Sequence, residues 1–198
     1  MLTVRYIEKL WEGRKYGRLL NELIEPRVEA LAAGELTETP AAAAAAMALV
    51  RLDEMLQPHA PICAKMIRTL LALQDSDGVW GDAATTALCV RALSLQNGQG
   101  LAIDRGIEYL AALQQPTGIW PKIPIRRMPE DALVSAFVML QLVDNPRFQE
   151  TVRFDAAVQW FGGRRGFLDE NARVIWDHAR LRLPAANTTR AGGVASWS

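Results

Sequence analysis

Five basic side chains fall into two clusters, Lys122 with Arg126 and Arg127, and Arg164 with Arg165. Guanidinium groups grip phosphates and carboxylates in pairs of hydrogen bonds, so each cluster could hold a diphosphate or another anion. The plainer reading is a solvated rim. Acidic candidates are fewer. Asp75, Asp77 and Asp82 crowd one loop around a tight turn, where solvation accounts for them. Glu130 and Asp131 follow Pro129 at the head of a predicted helix, where carboxylates cap the helix and offset its dipole. Metal chemistry would draw on His59, Cys63, Cys89 and His178. His59 and Cys63 are spaced to share a helix face, but Pro58 and Pro61 interrupt the start of that helix. A closed zinc site needs three or four converging ligands. The cysteines read better as small buried hydrophobes, so neither metal nor cofactor is expected. The chain has no G-x-S-x-G, no G-x-x-x-x-G-K-[ST], and no G-x-G-x-x-G after a strand.

Helices must carry these residues, because apolar side chains recur at helical spacing and no long alternating strand pattern occurs. Val4 to Leu31 reads as two helices, weakened at Gly13 and Gly17 and interrupted at Pro26. Further helices are predicted at Ala41–Leu56, Ile62–Leu73, Ala84–Leu95, Ile103–Leu113, Pro129–Leu142, Phe148–Phe161 and Leu168–Leu183. Two loops share the pattern Gln-x-x-x-Gly-x-Trp: Gln74, Gly78 and Trp80, then Gln114, Gly118 and Trp120. They stand 40 residues apart, a period typical of helix hairpins that stack because one hairpin cannot bury both faces of its helices. Gly162-Gly-Arg-Arg-Gly166-Phe167 reads as a degenerate third copy. The predicted organisation is a single helical-repeat domain over 1–183, with cap helices in 1–36, hairpins in 41–183 and a flexible tail at 184–198.

Bulk composition narrows the function classes. The chain has 198 residues, 22 basic and 22 acidic side chains, and 50% hydrophobic residues. That suffices for one domain with a sizeable core. Balanced charge argues against nucleic-acid binding, which needs a basic surplus. No apolar run is long enough for a membrane span. Charges interrupt the first twelve residues too early for a signal peptide, and two sparse cysteines make no disulfide framework, so a cytoplasmic location is expected.

The Gln-x-x-x-Gly-x-Trp loops after apolar helices resemble the QW repeats of squalene and oxidosqualene cyclases and the related loops of protein prenyltransferases. The resemblance covers about 41–183 and is closest at Asp77-Gly78-Val-Trp80-Gly-Asp82. It implies an all-α fold in which hairpins form part of an α/α toroid. In that family the Gln and Trp residues staple the fold. A full ring takes more helices than this pattern supplies, so an open ring or a homodimer is implied. For proton-initiated cyclases the family pattern is D-x-D-D, which aligns with Met128 to Asp131; Glu130 replaces the middle acid and Asp131 is retained. The resemblance therefore makes Glu130 and Asp131 the catalytic candidates. No D-D-x-x-D occurs, and the D-x-C of the zinc-dependent branch is absent before Cys89. The favoured expectation is a non-catalytic helical-repeat module with a hydrophobic or isoprenoid-like ligand, or a partner peptide, on its concave face. A reduced cyclase-like enzyme and an assembly protein are the alternatives.

Overall fold

The computed structural model describes residues 41–54, 60–96, 99–123 and 129–184. The expectations for cap helices in 1–36, for the tail beyond 184, and for His59, Arg126 and Arg127 lie outside the described residues. Within them the protein is all-α. Its helices are α1 (Ala41–Glu54), α2 (Ala60–Leu73), α3 (Ala83–Ser94), α4 (Gly100–Leu113), α5 (Ala132–Leu142), α6 (Pro146–Thr151), α7 (Phe154–Arg164) and α8 (Glu170–Arg180), with a 3₁₀ turn at Arg165–Phe167. No strand occurs among the described residues; one isolated antiparallel bridge joins Pro121 to Glu130. None of their helices is long and apolar enough to cross a membrane.

Helices α1, α3, α5 and α8 pack in succession as one row. Helix α2 lies on α1, α4 lies on α3, and α6 joins α4 to α7. Burial follows this order. Ala42 through Val50, Ala83 through Val90 and Leu133 through Leu142 are each buried without a break, as expected for helices enclosed on every side. The alanine-rich α1 and α3 allow close approach to their neighbours. Helix α8 instead buries only Ala172, Ile175, Trp176 and Ala179, one stripe that packs against α5. Trp176 stacks on Phe161 of α7 at 4.5 Å between ring centroids. Arg182 donates to the carbonyl of Leu140 at 2.7 Å and pairs with Asp144, tying the end of α8 to the end of α5.

Three helices of the row start in the same way. Asp82, Asp131 and Asp169 each accept the N–H of the residue three positions on: Thr85 at 2.8 Å, Val134 at 2.9 Å and Ala172 at 2.9 Å. Such N-caps satisfy one of the N–H groups that a helix leaves without an internal partner.

Two sequence expectations are corrected. Phe148–Phe161 is not one helix: α6 ends at Thr151, Val152 is extended (ψ 170°), and α7 begins at Phe154. The break has a cause 39 residues upstream, because the Gln114 side chain accepts the Arg153 N–H at 2.7 Å. The segment Gly162–Phe167 does not form a third copy of the loop. Gly162 and Gly163 continue α7, and Gly166 lies in the 3₁₀ turn. In the two true loops a glycine with φ of 82° or 90° stands two residues before the tryptophan. Two residues before Phe167 the chain has Arg165 at φ −52°, so the left-handed turn is lost.

Candidate functional site

The first loop closes on itself. Gly78 N–H donates to Asp75 O at 2.9 Å, and Asp75 N–H donates to Val79 O at 3.0 Å. Gln74 Nε2 donates to Gly78 O at 3.0 Å and reaches across to Ala102 O in α4 at 2.9 Å. Trp80 points back, its indole N–H donating to Leu70 O at 2.8 Å, while its backbone N–H donates to Thr86 Oγ1 at 3.1 Å. The second loop makes the same set. Gln114 Nε2 donates to Gly118 O at 2.8 Å and more weakly to Arg153 O at 3.5 Å. Trp120 Nε1 donates to Leu110 O at 2.8 Å, and Trp120 N–H to Ser135 Oγ at 2.8 Å. Both glycines are also needed for space. A Cβ on Gly78 would stand 2.4 Å from Arg105 O, and one on Gly118 would stand 2.3 Å from Ala157 N. These six residues therefore join helices, and their polar atoms point into the protein.

The loops differ in one respect. A single residue separates Trp80 from its capping Asp82, whereas ten separate Trp120 from Asp131. The extra stretch is tied at its base by the Pro121–Glu130 bridge and by the Asp131 N–H donating to Trp120 O at 3.0 Å. Lys122 lies in this stretch and is exposed.

The remaining candidates divide as follows. Asp131 is half-buried and engaged as the cap of α5, and the neighbouring Glu130 is exposed and hydrogen-bonded to the Thr117 hydroxyl. Arg164 is exposed and lies over the Trp160 ring at 4.8 Å from its centroid. Arg165 is held by Asp177 through paired bonds at 3.0 and 2.8 Å. The hydrogen bond and the charge of Arg165 hold the Asp177 carboxyl below its usual range, with Arg180 and Arg173 adding to the effect. The arginines of that cluster are thus each turned onto a neighbour of their own.

Among the described residues no three His, Cys, Asp or Glu side chains gather as a metal site. His178 is exposed on α8, with Nδ1 2.9 Å from Val174 O. Cys63 is half-buried and Cys89 fully buried. The Cys89 thiol donates to Ala42 O at 3.7 Å, and burial, aided by the charge of Asp82, pushes its pKa well up. Burial first and Asp82 second also push Tyr109 up to about 12. Beside them, the Thr85 hydroxyl is buried without a hydrogen-bond partner. An open depression of about 420 Å³ at the α6–α7 corner is lined by Glu150, Arg153, Phe154, Asp155 and Pro184 among others, and holds none of the candidate residues.

Sequence reasoning gave no bonding role to Thr86, Ser135 and Arg153, three of the partners of the two loops. The signal for the first two was a hydroxyl four residues after each capping aspartate. Arg153 acts through its backbone and leaves no signal in the sequence.

Comparison of the chain with protein-family models, curated proteins and solved structures finds no match in any of the three.

Proposed function

We propose that the chain is a non-catalytic helical-repeat module that binds an apolar partner, either a hydrophobic small molecule or a peptide. One observation carries this reading: the polar groups at the loop ends are consumed by the fold. Of the two acids that a cyclase-like reaction could draw on, Asp131 caps α5 in the same way that Asp82 and Asp169 cap α3 and α8, and Glu130 is exposed to water and bonded to the Thr117 hydroxyl. The Gln and Trp side chains are likewise engaged by backbone carbonyls. A general acid must instead be aimed at its substrate in a site closed to water.

The partner-binding half of the reading is supported by exposed apolar surface. Leu71 and Leu73 at the end of α2 are 40% and 43% exposed, and Leu101 at the start of α4 is 70% exposed. The Gln74–Ala102 bond draws those two helix ends together into one corner, which carries the leucines. The same reading includes a cytoplasmic location and an open α/α array related to the cyclase and prenyltransferase toroids, with α1, α3 and α5 on its inner side.

Native mass spectrometry of the purified protein tests the proposal. A retained lipid or isoprenoid adduct supports a small-molecule partner. A clean monomer directs the reading to a peptide, and a clean homodimer to assembly through the leucine corner. Turnover of a polyprenyl diphosphate or polyene that Asp131→Asn or Glu130→Gln abolishes would overturn it, because each change removes an acid and Asn at 131 preserves the cap.

A further inference from the structure

The three capping aspartates put α3, α5 and α8 in one register. Counting from the cap, the fourth and eighth residues are Thr86 and Val90 in α3, Ser135 and Met139 in α5, and Arg173 and Asp177 in α8. In α3 these positions face the next hairpin: a Cβ added to Gly106 of α4 would lie 2.6 Å from Val90 and 3.6 Å from Thr86. All four residues of α3 and α5 at these positions are fully buried. In α8 Arg173 is exposed, and Asp177 is half-buried in its paired bonds with Arg165.

The ring before the cap changes as well. Trp80 and Trp120 are buried and each donates to a carbonyl ten residues back. Phe167 stands two residues before Asp169, as Trp80 stands two before Asp82, but it is 89% exposed and has no N–H for that bond.

From these substitutions we infer that α8 is a built-in end cap, whose Arg165–Asp177–Arg173 stripe stops another hairpin, including that of a second copy of this chain, from stacking on the C-terminal end of the row. An incoming helix would have to cover the charge pair and strip its water, and covering a charged pair is costly unless every lone pair and proton is satisfied again. It would also find no indole staple. Arrays of stacked hairpins need a terminal unit with a polar outer face to remain unassociated; the buried stripe of α8 faces α5, and outside it the helix is polar except for the half-buried Val174.

The test gives α8 the residues of α3. In Arg173→Thr with Asp177→Val, the helix regains a small polar and an apolar side chain where Thr86 and Val90 stand. Sedimentation equilibrium of the full chain over a wide concentration range should then show the weight-average mass rising about twofold relative to wild type, as copies stack through the opened end. A folded double variant with the same mass as wild type at every concentration would overturn the inference. A second measurement holds if the double variant fails to fold. Phe167→Cys places a thiol at a site that packs against nothing. In the capped protein this thiol should react with a maleimide at a rate independent of protein concentration, against the wild-type background of Cys63 and Cys89. Concentration-dependent protection would show that the end is already in use as an interface, and the inference would fail.

Discussion

Replacing Gln114 by Leu separates the two loops energetically. Gln114 is 1% exposed and serves three contacts: it donates to Gly118 O at 2.8 Å and Arg153 O at 3.5 Å, and accepts Arg153 N–H at 2.7 Å. Leu keeps roughly the volume and removes the amide. Gly118 O is then left buried without its partner, at about 1–3 kcal/mol, and the part-buried Arg153 N–H loses its acceptor as well, so the expected loss is about 2–3 kcal/mol. Gln74 is half-buried and donates to two carbonyls, at 3.0 and 2.9 Å. Water can replace part of what is lost there, and Gln74→Leu is expected to cost about 1–1.5 kcal/mol. Urea unfolding followed by tryptophan fluorescence reads both values, with the slope checked for constancy. Hydrogen exchange adds a local readout, since the Arg153 amide should lose its protection in Gln114→Leu and keep it in Gln74→Leu. Equal losses for the two variants, or a loss below about 1 kcal/mol for Gln114→Leu, would refute the reasoning that Gln114 breaks α6 from α7 by holding Arg153.

Four further outcomes are expected. Thr85→Val should leave stability unchanged or raise it by up to about 1 kcal/mol in thermal unfolding, because it removes a buried hydroxyl that has no partner. Gly118→Ala should cost about 3 kcal/mol or more, since it combines a φ of 90° with a contact 2.3 Å from Ala157 N, while Gly163→Ala in α7 should gain about 0.5–1 kcal/mol. Asp169→Ala should cost about 1 kcal/mol through loss of the α8 cap, and Asp169→Asn little, as read by denaturant midpoints. Stability should also fall with alkali. Cys89 and Tyr109 are held protonated in the fold, whereas unfolding lets them ionise near their ordinary values of about 8.5 and 10. The folded state then binds more protons than the unfolded one, so melting temperature drops as pH rises above about 8.5, and Cys89→Ala should flatten the first part of that drop.

The row of helices was legible because its residues announce it. A stretch such as Leu133 to Leu142, apolar all round but for Ser135 and Gln141, cannot be a surface helix. The two loops were legible because Gly78 and Gly118 stand at a fixed distance before a tryptophan, and a left-handed turn needs that glycine. The third segment misled for a related reason. Its glycines are plentiful, but the position that matters holds Arg165. The split of α6 from α7 could not be read locally, because 146–164 is a good helical pattern and the interruption comes from a side chain far away in sequence. Residue types favoured a capping role for Asp131 without excluding a proton donor, and the Val134 N–H seen on its carboxylate shows the cap.

The tied base of the stretch after Trp120 has a practical consequence. Nine residues more than in the first loop have been accommodated between a tryptophan and a capping aspartate without displacing either, since both Trp120 and Asp131 keep the bonds of their counterparts. Closing a loop of moderate length costs little once its ends are pinned together. The protein therefore marks its own splice point, and Gly81, which lies in the matching gap of the first loop and has open space around it, is where a foreign loop or an epitope should be tolerated with both neighbouring helices intact.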